Sequence, residues 1–310
     1  MCYYLLDIIG KLFIKNIEMK FLKRIIKGIK FRLDTYFLTC FGIFDYLRSN
    51  NNIYNEPSIC GFFQCYKQPK SAIAMLASFR KIYPTNSIHM FCDNGFDFSH
   101  VAEHFGCKYE YLSNKSGKGD TLYFLSKEQV MSYMKRLVYT AQNSTENFLM
   151  ILEDDFRIYK KIKKLKFDWN CVKPDHHFTG RKLTSLLRAR NSSIPWYVSN
   201  MYFTGCGGAM LNRAFLVDNF SDGKKLENAV DEVSLYIQKQ WGAIPQDAIL
   251  TALILYFGGT AGMYIGFTEA RYWRYRLKPF FGSFDIVHND KSLYNLPLSE
   301  DENKIFLGLN

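Results

Sequence analysis

Between Ser58 and Asp155 the sequence switches repeatedly between two hydrophobic periods, and few chain topologies accommodate that alternation. SICGFFQCY, SIHMFCDNG, CKYEYLS and ENFLMILED are short apolar runs of strand length. Between them lie three stretches with helical spacing. KSAIAMLASFRKIYP is stopped near Pro84; FSHVAEHFG has Ser99 at its expected N-cap and Gly106 as its stop; SKEQVMSYMKRLVYTAQNS has Ser126 placed to cap it. Strands alternating with helices predict an α/β fold, a mostly parallel sheet flanked by helices. Residues 57–290 are read as a single domain, preceded by a basic amphipathic helical extension over 1–56 and followed by a C-terminal tail over 291–310.

The parallel-sheet reading makes the end of the fourth strand conspicuous. In LEDDF, Glu153, Asp154 and Asp155 follow an apolar run directly. Adjacent carboxylates repel one another, so they require either free solvent or a cation. In open parallel sheets ligands bind at the carboxyl ends of strands. The same edge receives Asp93 and Asn94 after the second strand, and Gln64, Cys65 and Tyr66 after the first. A solvated acidic turn is the ordinary account of such a tripeptide; a second carboxylate delivered to the same edge weakens it.

The remaining composition limits the alternatives. The chain has 310 residues, 48% hydrophobic and 17% aromatic, enough to build a large core rather than a disordered coil. Its net charge is +11, and residues 1–50 carry nine Lys/Arg against four Asp/Glu. That end mixes bases with apolar residues at helical spacing, as a surface helix on a membrane does, but holds no charge-free run near the about 20 residues needed to span one. Ala248–Thr268 is charge-free, yet Gly258, Gly259 and Gly262 divide it into a core helix (AILTALILYF) and a strand (GMYIGF). Eight cysteines without a C-x-x-C pair, several inside apolar runs, suit free thiols in a reducing compartment. Asp7, Lys11 and Lys15 break the apolar N-terminus, so a cleavable signal peptide is not expected. The expected location is cytoplasmic, with peripheral membrane contact through residues 1–50.

Together the strand–helix series and LEDDF resemble the GT-A fold, the Rossmann-like fold of nucleotide-sugar-dependent glycosyltransferases, over roughly residues 57–290. The acidic run is similar to the E-D-D variant of the D-x-D motif in N-acetylglucosaminyltransferase-type and lipo-oligosaccharide-type enzymes. The resemblance implies a nucleoside-diphosphate-sugar donor, UDP-linked, a glycan or glycolipid acceptor, and Mn²⁺ or Mg²⁺. A hard cation held by carboxylates suits such a reaction because charge develops on the departing diphosphate. It implies Asp155 as a metal ligand, with Glu153 or Asp154 holding sugar hydroxyls or a metal-bound water, and His288, from FDIVHND, as a further ligand. Gln64 and Tyr66 correspond to the loop framing uracil, and Asp93 to the ribose or base position. Lys135 and Arg136 correspond to residues reaching the diphosphate, as do Arg271, Arg274 and Lys278; a solvated helix face is the commoner fate of a Lys–Arg pair.

In YFTGCGGAMLNRAFLVDNF, Gly205, Gly207 and Gly208 allow close backbone approach before a helix-like segment, and resemble the donor-sugar and acceptor region. Trp196 and Tyr197 are equally suited to stacking on sugars or packing in a core. Pro245 is expected in the first turn of a helix, where Asp247 is explained by helix capping; the resemblance makes it the catalytic base of an inverting enzyme. Two other classes remain open. A nucleotidyltransferase would need a second strand-borne acid near Asp155, with Asp93 the sole candidate. A nucleic-acid binder is suggested by the charge and by KKIKKLK at 160–166, but no nucleic acid is expected because acids converge where such a protein needs bases. His100 and His104, with Glu103 beside the second, lack the H-E-x-x-H spacing and are expected on a helix surface.

Overall fold

The computed structural model describes residues 53–112, 123–171, 173–175, 181–190, 202–204, 207–269, 285–288 and 291–309, with residues 40, 42–44 and 46–48 ahead of them. The basic segment 1–39, Trp196, Tyr197, Gly205, Arg271, Arg274 and Lys278 lie outside the described residues.

The chain begins with β1 (Tyr54–Asn55), β2 (Ile59–Cys65), α1 (Pro69–Ile82), β3 (Ile88–Asp93), α2 (Ser99–His104), β4 (Lys108–Leu112), β5 (Tyr123–Phe124), α3 (Lys127–Gln142) and β6 (Phe148–Leu152). It continues through β7 (Arg157–Ile158), β8 (Lys164–Leu165), β9 (Trp169–Cys171), β10 (Lys173–Asp175), α4 (Arg181–Arg190), β11 (Tyr202–Thr204), β12 (Met210–Asn212), α5 (Arg213–Phe220) and α6 (Gly223–Trp241). The last elements are β13 (Ile244–Pro245), α7 (Gln246–Tyr256), β14 (Ala261–Met263), β15 (Phe267–Glu269), β16 (Ile286–His288) and α8 (Glu300–Leu307).

A seven-stranded sheet in the order β14-β9-β12-β6-β2-β3-β4 forms the centre. β6, β2, β3 and β4 are mutually parallel, as are β9 and β14; β12 runs antiparallel between β6 and β9, so the other strands all point one way. The fold is thus mixed α/β with a mostly parallel sheet. All five residues of β6 and all six of β3 are buried, as expected of strands covered on both faces. Each fully buried Leu, Ile, Phe or Met side chain there contributes about 1.5–3 kcal/mol. The fully buried Trp169 in β9 joins sheet to helix by donating its indole N–H to Thr251 Oγ1 of α7 at 3.1 Å.

Ser126 caps α3 as expected, accepting from the Gln129 amide at 3.4 Å. Ser99 does not cap α2. Phe98 occupies that position, and the Asp97 carboxylate takes the Ser99 amide at 2.9 Å, an Asx turn one step upstream. Pro245 likewise sits just before α7 rather than inside its first turn, with its missing N–H outside the ladder. The helix-like run after Gly208 is split. Met210–Asn212 fills the antiparallel slot between β6 and β9, and Asn212 ends it by accepting from the Phe215 amide, starting α5.

The turns after β2 and β3 lock together. Asn94 adopts φ 55, tolerated by its short polar side chain, and Phe96 N donates to Tyr66 O at 2.8 Å. A Cβ on Gly95 would lie 1.9 Å from that carbonyl oxygen. Gly95→Ala must therefore push the two loops apart and is expected to cost about 1–3 kcal/mol, seen as a lower urea midpoint. A second expectation concerns His89, buried in β3 beside Phe62. Burial, reinforced by the Lys108 cation, lowers its pKa from 6.5 to about 4. The unfolded chain takes up this proton first, so the contribution is complete above pH 6.5 and declines as pH falls towards about 4. Urea unfolding across that range should show the decline, and His89→Gln should flatten it.

Candidate active site

The parallel strands bring several polar groups to their carboxyl ends, and a late strand completes one cluster. Past Leu152 the chain turns through Glu153, Asp154 and Asp155 and enters β7, which pairs antiparallel with β16. That pairing carries His288 to the acids. Its Nε2 lies 3.1 Å from Glu153 Oε2 and 3.4 Å from Asp155 Oδ1. Glu153, Asp155 and His288 can each point one ligand atom inward, all within 4.8 Å of one another, the one such group among the described residues.

This trio fits a hard divalent cation. Asp155 is buried, and its Oδ1 accepts no hydrogen bond. Burial, opposed by His288 and reinforced by Glu153 and Asp154, pushes its pKa up to about 6. A nearly buried carboxylate oxygen with no donor is costly unless something positive meets it. Two carboxylates and an imidazole are also a suitable donor set for Mn²⁺ or Mg²⁺. Gly207 makes room for the cluster: a Cβ there would lie 2.8 Å from His288 Cδ2 and 3.2 Å from Glu153 Cβ. The expected close approach of the glycine run is therefore realised at Gly207.

Asp154 faces elsewhere. It accepts a short hydrogen bond from the Tyr294 hydroxyl, and burial raises its pKa. Arg157, buried, donates Nη1 to the carbonyls of Asp154 at 2.8 Å and Phe156 at 2.6 Å, which fixes the turn. Neither Arg157 nor Tyr294 was suggested by the sequence, because both act through short-range geometry at the turn rather than through a motif.

A second polar group occupies the ends of β2 and β3. Asp93, almost fully buried, receives Gln64 Nε2 in a short hydrogen bond and lies 2.6 Å from Arg136 Nη1. The guanidinium also stacks over Phe91, 5.4 Å from the ring centroid. Gln64 Oε1 and Arg136 Nη2 are buried and accept or donate no hydrogen bond. The solvated-face account of the Lys–Arg pair holds for Lys135, which is exposed, and fails for Arg136. Its signal was present: Arg136 shares a helix face with buried Tyr133 and Thr140, at i−3 and i+4. Tyr66 is half-buried, with Lys67 Nζ over its ring at 4.8 Å.

Asp247 lies in the first turn of α7, where the helix dipole favours an anion; its Oδ1 accepts the adjacent Ala248 amide at 2.8 Å, and no side chain caps the helix. Burial, reinforced by the Asp247 charge, raises the pKa of Cys171 at the end of β9. Gln246, next to Asp247, donates to Tyr133 Oη at 2.9 Å, tying this helix start to α3. His100 and His104 stay on α2, and neither joins the cation group. Among the described residues no helix is long and apolar enough to cross a membrane.

No protein-family model matches the sequence, and no curated protein matches it. Among solved structures the chain is similar to galactosyltransferase LgtC in complex with donor and acceptor sugar analogues, at 10% identity over 81% of this chain and 96% of that one, with a TM-score of 0.43. It is also similar to an active-site mutant of LgtC, at 12% identity over 79% and 93% of the two chains, with a TM-score of 0.42.

Proposed function

We propose that the chain is a metal-dependent glycosyltransferase of GT-A type, moving a sugar from a nucleoside-diphosphate donor, UDP-linked, to a hydroxyl of a glycan or glycolipid. The observation that carries this reading is the trio Glu153, Asp155 and His288, with its donorless buried oxygen, at the carboxyl edge of a parallel sheet. In it, Glu153, Asp155 and His288 hold Mn²⁺ or Mg²⁺, whose chemistry is to offset charge on the departing diphosphate. Gln64 and Tyr66 frame the base, and Asp93 receives a base or ribose donor. Arg136 serves that site by orienting the Asp93 carboxylate, 2.6 Å from its Nη1. Asp247 takes the proton of the acceptor hydroxyl. The acceptor oxygen bonds to the anomeric carbon as the bond to phosphate breaks, and the electron pair leaves with the diphosphate; the product is inverted. The basic segment 1–50 supports peripheral contact with an anionic membrane on the cytoplasmic side, where a glycolipid acceptor would lie.

A nucleotidyltransferase is less well supported, because its required second acid, Asp93, is paired with Arg136 and stands outside the cation group. The deciding experiment incubates the protein with Mn²⁺ and a panel of nucleotide-sugars and measures nucleoside diphosphate release. Release should require the metal and fall at least about 100-fold in Asp155→Asn, by analogy with loss of a direct ligand. Lys163→Ala, an exposed lysine of the basic run, should leave it unchanged. Salt-sensitive oligonucleotide binding without release would instead identify a nucleic-acid binder. Asp247→Asn should lower transfer to acceptor by about 100-fold while Mn²⁺ binding, read by calorimetry, is retained.

A further inference from the structure

Residues 291–309 have more anchors than a trailing segment needs. Glu300–Leu307 forms α8, started by a capping box in which the Ser299 and Glu302 side chains each take the other's amide. Phe306 packs edge-on against Phe98, with centroids 5.8 Å apart. Lys70 of α1 donates to Pro297 O at 2.8 Å and pairs with Glu302 at 3.3 Å. Gln68 Oε1 accepts the Asn295 amide at 3.2 Å, and Asn295 takes φ 57 to make the bend. Upstream, His288 is fixed in β16 by its pairing with β15, and that strand is held to β7. Tyr294 lies between these two anchored elements, with its hydroxyl on Asp154 of the acid turn.

We infer that Tyr294 positions Asp154, and through it the cation-binding turn, so that residues 291–309 are a working part of the site. Asp154 sits between the two acids that face His288. Three carboxylates in sequence compete for one cation, and a ligand set of defined geometry requires one of them to be turned away. The Tyr294 hydroxyl does this by occupying Asp154 Oδ1, while Arg157 Nη1 holds the Asp154 carbonyl 2.8 Å away. With side chain and backbone both secured, Glu153 and Asp155 are left aimed at His288. This is the role of an outer partner that orients direct ligands without touching the ion. The inference rests on the cation reading of Glu153, Asp155 and His288.

The test is calorimetric titration of the full chain with MnCl₂ alone. Tyr294→Phe keeps the ring and removes only the hydroxyl. It should weaken Mn²⁺ binding about 10-fold while far-UV circular dichroism stays native. In an Asp154→Ala background the same substitution should cause no further loss, since its target is gone. Unchanged affinity in Tyr294→Phe, or an equal loss in both backgrounds, overturns the positioning role and leaves the cation reading intact. Absence of Mn²⁺ binding by the unsubstituted protein overturns the cation reading and this inference with it. Should Tyr294→Phe fail to fold, Lys70→Ala, which releases the segment at a distance, must weaken Mn²⁺ binding; unchanged affinity there is equally fatal.

Discussion

Electrostatic repulsion among carboxylates that the chain cannot separate governs the site. Glu153, Asp154 and Asp155 are consecutive, and the burial of β6 draws the turn into a poorly hydrated position. Solvent reaches Asp155 least, and the structure answers each charge locally: imidazole for Glu153 and Asp155, a phenol for Asp154, a guanidinium on the turn's carbonyls. Asp155 Oδ1 is the one side-chain oxygen of Glu153, Asp154 and Asp155 that is buried without a hydrogen-bond donor. The arrangement resembles a coordination shell assembled ahead of its ion more closely than it resembles a solvated loop.

The second polar group obeys the same logic with the opposite outcome. Asp93 is buried as deeply as Asp155, but its charge is met by Arg136 within the chain. Two carboxylates at one sheet edge thus have distinct fates, decided by which helix packs over them. α3 carries a guanidinium to Asp93, whereas the group that reaches Asp155 Oδ1 is the His288 imidazole, 3.4 Å away. The cation group proposed for Glu153, Asp155 and His288 and the Asp93–Arg136 pair share one edge because each charge is settled separately.

Much of this was legible in the sequence where local pattern decides. β2, β3, β4 and β6 are apolar runs of strand length, and the helices between them show their period, so the parallel half and the placing of Gln64, Asp93 and the acids could be read directly. Asp155 and His288 were expected as ligands from resemblance, and the structure brings them together. What could not be read depends on pairing over long distances. β12 is three residues long and continuous with a helix, so its period is too short to register. The β7–β16 ladder is two residue pairs joining positions about 130 apart, and no spacing rule anticipates it. Tyr294 reaches the turn only because α8 docks on α1 and α2, a tertiary event that composition does not encode.

That short ladder also bears on how the molecule assembles. The acid turn belongs to the first half of the chain and follows β6, which pairs with β2, while its imidazole comes from β16 and is brought there by the pairing with β7. Closing so long a loop through so few pairings is entropically slow. The group Glu153, Asp155 and His288 is therefore complete only once β16 has paired with β7.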